Sequence, residues 1–271
     1  MSVRRSSLRN VMRYALAVEY DGRAFCGFQS QAQGCGIQDA LQRALATIAQ
    51  SAITVASAGR TDTGVHATLQ IVSFDTTVQR PLGAWVRGVN ASLPPSLSVL
   101  WARGVSDDFH ARFSASARHY TYVLLARPER PGLNAGRVGW YHRSLDVDAM
   151  QRAADRVIGE HDFSSFRASE CQAKSPVRTL SRAQVRAFGD IVRFDFSANA
   201  FLHHMIRNLV GAFVAIGAGK HDEGWIEGLL VARDRRLAPP TFAADGLYFT
   251  GADYDARFGL PFTRADVVLP A

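Results

Sequence analysis

The sequence is short of cysteine, of acidic residues and of long hydrophobic runs. It has 3 cysteines in 271 residues, an odd count and too few for a disulfide scaffold. Cys26, Cys35 and Cys171 therefore read as reduced cytosolic thiols, which points to the cytoplasm. No CxxC pair is present, so no structural zinc site is expected. No stretch approaches the roughly 18 uninterrupted apolar residues of a membrane helix. Asp and Glu number 24 against 31 Lys and Arg, a net charge of +7. Such a surface draws polyanions by Coulomb attraction and counterion release, which favours a nucleic acid partner. Hydrophobic residues make up 47% of the chain, which excludes wholesale disorder. The length fits one large domain or two modest ones.

Residues 1–13 carry Arg4, Arg5, Arg9 and Arg13 and no acid. They lack the apolar core of a secretory signal and read as a flexible basic arm. Beyond them the pattern becomes regular. Residues 14–20 alternate as a strand, and Ile37, Leu41, Leu45 and Ile48 recur at helical spacing. Strands are expected over 52–58, 67–75 and 97–104, with a helix over 82–93 stopped by Pro94 and Pro95. The order is β-α-β-β-α-β, the ferredoxin-like arrangement. The remainder repeats it. A strand over 118–125 and a helix over 148–159 precede a hairpin of 178–188 and 191–197 around Gly189-Asp190. A helix over 200–216, a second over 225–231 and a strand over 246–254 follow. The expectation is an α+β protein of two such halves, residues 14–115 and 116–271, with joined antiparallel sheets.

Four segments carry candidate chemistry. Gly59-Arg60-Thr61-Asp62-Thr63-Gly64 joins two expected strands, and its glycines permit a tight loop that presents Asp62 at a sheet end. Arg60 beside it would favour the charged carboxylate, as a nucleophile or base requires. A structural turn whose Asp bonds its own backbone fits the same residues. The Asp-Thr-Gly triplet also fits an aspartic protease, but that chemistry needs two carboxylates sharing a proton, and one copy would demand a homodimer. The second segment, 117–123, places Arg118, Tyr120 and Tyr122 on one strand face, where tyrosine rings can stack on bases or fill the core. In the third, 198–211, Arg207 shares a helical face with His203 and Gly211 and is expected to meet a carboxylate or a phosphate. His203 and His204 would diverge by about 100° on a helix, poor geometry for one metal, and read as structural. The fourth, 243–251, is a turn entering a strand.

Together these segments resemble the tRNA pseudouridine synthase A family, nearly end to end and in order. The likeness runs through Val18-Glu19-Tyr20-Asp21-Gly22, Gly27-Phe28-Gln29, Gly36-Ile37-Gln38, Gly59-Arg60-Thr61-Asp62 and Gly64-Val65-His66. It continues with residues 88–94, Phe109-His110-Ala111-Arg112, Arg118-His119-Tyr120, residues 162–167, residues 199–211 and Gly246-Leu247-Tyr248. Phe28 stands where the family usually has Trp or Tyr, and Thr63 where Ala or Lys is common.

The resemblance implies the pseudouridine synthase fold and isomerisation of uridines 38, 39 and 40 in the anticodon arm of tRNA. It implies Asp62 as the catalytic residue, Tyr120 packing on the target base, Arg60 assisting extrusion and Arg207 pairing with Asp62. It also implies a homodimer with tRNA across both subunits, no metal and no cofactor. A non-catalytic RNA-binding protein would use the same basic sheet without needing Asp62.

Overall fold

In the computed structural model, which describes residues 11–268, ten strands form one mixed sheet. The basic arm lies outside the described residues up to residue 10, and Arg13 already belongs to the first strand. There it forms an ion pair with Asp75 on the neighbouring strand, Nε to Oδ1 at 2.6 Å.

The first half contains β1 (Met12–Tyr20), α1 (Ile37–Ala49), β2 (Val55–Ser57), β3 (His66–Thr76) and β4 (Leu97–Val105). β4, β1 and β3 lie side by side, with β2 on the far flank of β3, which is the ferredoxin-like order. α1 forms because its apolar positions fall on one stripe; Ile37, Leu41, Ala44 and Leu45 are buried. The Asp39 side chain accepts from the Gly36 N–H at 3.0 Å and satisfies a free donor at the helix start. The helix expected over 82–93 contains a π-type segment at Ala84–Gly88, which sinks Trp85 into the core.

The second half contains β5 (Ala117–Ala126), β6 (Gly139–Tyr141), α2 (Val147–Asp155), β7 (Gly159–Asp162), β8 (Val177–Phe188), β9 (Ile191–Ala198), α3 (Met205–Gly217), α4 (Trp225–Ala232) and β10 (Leu247–Asp253). Its strand order, β10-β5-β9-β8, repeats that of the first half. Two short strands, β6 and β7, were not expected; β6 pairs with the end of the interior strand β5 and β7 forms the sheet edge beside β8, and with three or four residues each is too short to show alternation. α3 starts five residues later than the expected 200–216 helix, because His204 takes the left-handed conformation at φ 61° and breaks the pattern.

The halves join where β10 runs beside the start of β3, Tyr248 opposite His66 and Phe249 opposite Ala67. This seam is parallel, as is the β5–β6 pairing, so the sheet is not antiparallel throughout. β2 and β10 share one flank of β3, and between their ends the chain crosses as the 59–65 loop. The sheet thus has a gap at its centre with that loop in it.

The expectation of three reduced thiols fails for two of them. Cys26 and Cys35 form a disulfide, with Cα atoms 5.5 Å apart, and Cys171 is free. The reason is local: the Cys26 N–H donates to the Cys35 carbonyl at 3.1 Å, closing the loop between β1 and α1 and bringing the side chains together. Sequence spacing alone carries no sign of that closure.

Candidate active site

The 59–65 loop is fixed from below. The buried Gln70 side chain on β3 grips both sides of Gly59: its Nε2 donates to the Gly59 carbonyl at 2.7 Å and its Oε1 accepts the Gly59 N–H at 3.3 Å. Thr61 shares a hydrogen bond of 2.8 Å with the buried Tyr20 hydroxyl, and its carbonyl accepts the Phe28 N–H at 2.9 Å. Burial pushes the Tyr20 hydroxyl up to about 12, so it stays a neutral partner for Thr61. Gly64, at φ 81°, makes the turn that an L side chain would resist, and the Val65 N–H closes it onto the Asp62 carbonyl at 3.1 Å. The loop's exit is pinned by His66. Its Nδ1 accepts the Gly22 N–H at 3.2 Å, and its Nε2 lies 3.0 and 3.1 Å from the carbonyls of Gly136 and Asp245. These contacts suit a neutral ring protonated on Nε2, and burial lowers its pKa in agreement.

Held in this way, Asp62 extends into a cleft of about 1230 Å³. Its side chain is 26% exposed, and three groups from one chain segment converge on it. The His203 Nε2 lies 3.2 Å from Oδ1, the His204 Nε2 3.3 Å from Oδ2, and an Arg207 terminal nitrogen 3.2 Å from Oδ2. Arg207 is itself braced, since its Nε donates to the Phe242 carbonyl at 2.8 Å. Desolvation lowers the His204 pKa, reinforced by the nearby His203 and Arg207 and opposed by Asp62. His204 is therefore a neutral imidazole near pH 7, bringing a polar ring rather than a full charge to the carboxylate.

Of the residues singled out in the sequence, Asp62 and Arg207 meet in an ion pair and Tyr120 lines the same cleft. The Tyr120 ring is buried edge-on between Phe201 and Phe249, at centroid distances of 5.1 and 5.0 Å. Burial raises its hydroxyl pKa, so it remains protonated. Arg60 is exposed on the cleft wall and, among the described residues, makes no ion pair with Asp62; Arg207 occupies that place. Tyr122 is a core residue, its hydroxyl donating to the Ala243 carbonyl at 2.9 Å.

His203 and His204 are the residues that sequence reasoning missed. The divergence of about 100° assumed a helix, but both precede α3, and the turn at His204 brings their rings to within 4.0 Å. Their nitrogens and an Asp62 oxygen lie within 4.8 Å of one another, a spacing a metal could bridge. Arg207, hydrogen-bonded to Oδ2 of the same carboxylate at 3.2 Å, opposes a second cation there. The one signal in the sequence was the pair of polar rings directly before a helix otherwise apolar.

Comparison with known proteins identifies the family. The family described as tRNA pseudouridine synthase matches residues 16–114 and 153–255. A tRNA pseudouridine synthase A of Thiobacillus denitrificans (strain ATCC 25259 / T1) is 60% identical over 251 residues, covering 93% of this chain and 96% of its own. Another so named, of Dechloromonas aromatica (strain RCB), is 58% identical over 255 residues, covering 94% and 97%. A third, of Chromobacterium violaceum, is 59% identical over 251 residues, covering 92% and 96%.

Proposed function

The chain belongs to the tRNA pseudouridine synthase family, isomerases that convert uridine to pseudouridine in tRNA, and on that premise we propose that it acts on uridines 38, 39 and 40 of the anticodon arm, with Asp62 as the catalytic carboxylate. The observation that carries the role of Asp62 is the convergence of Arg207, His203 and His204 on its two oxygens inside the cleft. A carboxylate on a surface turn has no need of three such partners. A carboxylate that must hold one orientation against a substrate does.

A uridine in a stem is stacked and paired, so it must leave the helix before its glycosidic bond can be reached. Extrusion costs a few kcal/mol, which stacking on an aromatic ring such as Tyr120 offsets. Arg60, exposed on the cleft wall, is suited to the phosphates or to the vacated space. The C–N bond then breaks, the base turns, C5 bonds to the sugar and gives up its proton, and N1, freed from the sugar, takes up a proton. The product is an isomer, so the overall change needs neither oxidant nor energy donor. Arg207, with one nitrogen on Asp62 and another on the Phe242 carbonyl, fixes the carboxylate through these steps. The family likeness further supports a cytoplasmic homodimer with the tRNA lying across both subunits, each subunit built of halves 14–115 and 116–271. Among the described residues no helix is long and apolar enough to cross a membrane.

Pseudouridine mapping on an unmodified tRNA transcript tests the proposal, with wild type and Asp62→Asn compared and no cofactor added. Wild type is expected to form pseudouridine in the anticodon arm, and the variant to form none while keeping most of its tRNA affinity. More than trace activity in Asp62→Asn overturns the role of Asp62. Modification confined to another arm overturns the site assignment.

A further inference from the structure

Twelve large hydrophobic side chains are exposed among the described residues, and Phe113 alone of them lines the cleft that holds Asp62. It is 76% exposed, whereas the nearby Phe109 and Ala111 are fully buried. The exposure does not come from a loose loop. The Phe109 ring packs against Tyr254 and Phe258, at centroid distances of 5.3 and 5.0 Å. Ala111 is held at both ends, its N–H donating to Ser73 Oγ at 3.1 Å and its carbonyl accepting the Tyr254 hydroxyl at 2.6 Å. His110 Nδ1 accepts the N–H groups of Arg112 and Phe113, at 3.0 and 3.3 Å. The Ser114 N–H closes the turn onto the His110 carbonyl at 2.9 Å. A turn tied at so many points presents its aromatic ring to solvent in a fixed place.

The surroundings of the ring are cationic. The Arg112 guanidinium lies 5.6 Å from its centroid, and the His110 ring 4.4 Å away. Arg60, Arg118 and Arg178 line the same cleft. A rigid, exposed ring among guanidinium groups matches the surface that unpaired nucleotides require: a face for the base and cations for the backbone. A purely apolar partner would not need the arginines, and a phosphate alone would not need the ring.

We propose that Phe113 is a stacking platform for an unpaired base of the RNA next to the target uridine, distinct from Tyr120. The proposal rests on tRNA being the substrate. The ring adds affinity and fixes the strand as the uridine leaves the stem. Tyr120 is sunk between two phenylalanines, whereas Phe113 stands at the surface, so one platform serves a base deep in the cleft and the other a base on its wall.

The test uses an anticodon stem-loop RNA with wild type, Phe113→Ala and Phe113→Trp, reading the dissociation constant, KM and kcat separately. Phe113→Ala is expected to weaken binding about tenfold, the loss falling on KM rather than kcat, while Phe113→Trp retains affinity. The melting temperature should not move, since the side chain contributes little to the core. Stem-loops carrying a single abasic nucleotide at successive positions should include one on which wild type and Phe113→Ala bind equally. Equal affinity of the two proteins for the intact stem-loop overturns the proposal, as does a loss that no abasic position absorbs. Failure of the substrate reading is seen separately, as wild type forming no pseudouridine in the stem-loop.

Discussion

Tyr120 separates two duties that one side chain can carry. Its ring is buried between Phe201 and Phe249, whereas its hydroxyl makes no hydrogen bond to any described residue. The ring therefore contributes to folding and the hydroxyl does not. Tyr120→Phe should leave stability within about 0.5 kcal/mol of wild type, so any fall in its turnover reports contact with substrate. Tyr120→Ala should cost roughly 3 kcal/mol, because it empties a packed site as well as removing the stacking face. Urea denaturation of both variants beside single-turnover kinetics distinguishes the duties. A large loss of stability in Tyr120→Phe would mean that the hydroxyl has a partner in the fold. Its strand showed only a face shared with Arg118 and Tyr122, with stacking and core burial both open, and the expectation of a base came from the family resemblance. For Tyr122 the core reading is the one the structure bears out. His203 and His204 could not, because their placement depends on one left-handed residue that periodicity does not reveal.

At the scale of elements, the catalytic loop depends on close backbone approach by the turn after β1. A Cβ on Gly22 would lie 2.0 Å from the Val65 carbonyl oxygen, and backbone cannot yield as a flexible side chain can. The Gly22 N–H is also the donor to His66 Nδ1, so displacing this turn loosens the exit of the loop that carries Asp62. Gly22→Ala should lower stability by about 2 kcal/mol or more and reduce activity further than stability alone explains. Gly104→Ala is the matched control: it sits in β4 with open space around its Cβ, and should be neutral or slightly stabilising. Thermal melts and kcat/KM for the pair decide the matter, and a Gly22→Ala enzyme of native stability and rate would remove this turn from the argument. Most elements were legible because apolar periodicity switches cleanly between two and 3.6 residues; the 189–190 hairpin appears where Gly-Asp predicted it. The short strands β6 and β7 and the Cys26–Cys35 closure were not, since each is set by a distant or local contact rather than by pattern.

For the whole molecule, two repeated topologies do not make two independent folding units. The seam between β3 and β10 fills the flank of β3 that β2 leaves open, so neither half completes its sheet alone. One apolar cluster runs from Tyr14 to Phe258 and includes residues of both halves. The end of the chain returns to the first half: Trp101 Nε1 donates to the Phe262 carbonyl at 3.1 Å, and Thr68 Oγ1 to the Ala265 carbonyl at 2.7 Å. Arg207 from the second half reaches Asp62 in the first, so the candidate site itself exists only across the seam. Exposing either half would uncover apolar area whose burial is worth roughly 25 cal/mol per Å², a large cost against a net stability of about 5–15 kcal/mol. The expected outcome is one cooperative transition, with near-ultraviolet and far-ultraviolet dichroism melting together and the calorimetric and van't Hoff enthalpies equal. Two separated transitions would mean that each half holds its own core, and that the contact between Asp62 and Arg207 can open while both halves remain folded.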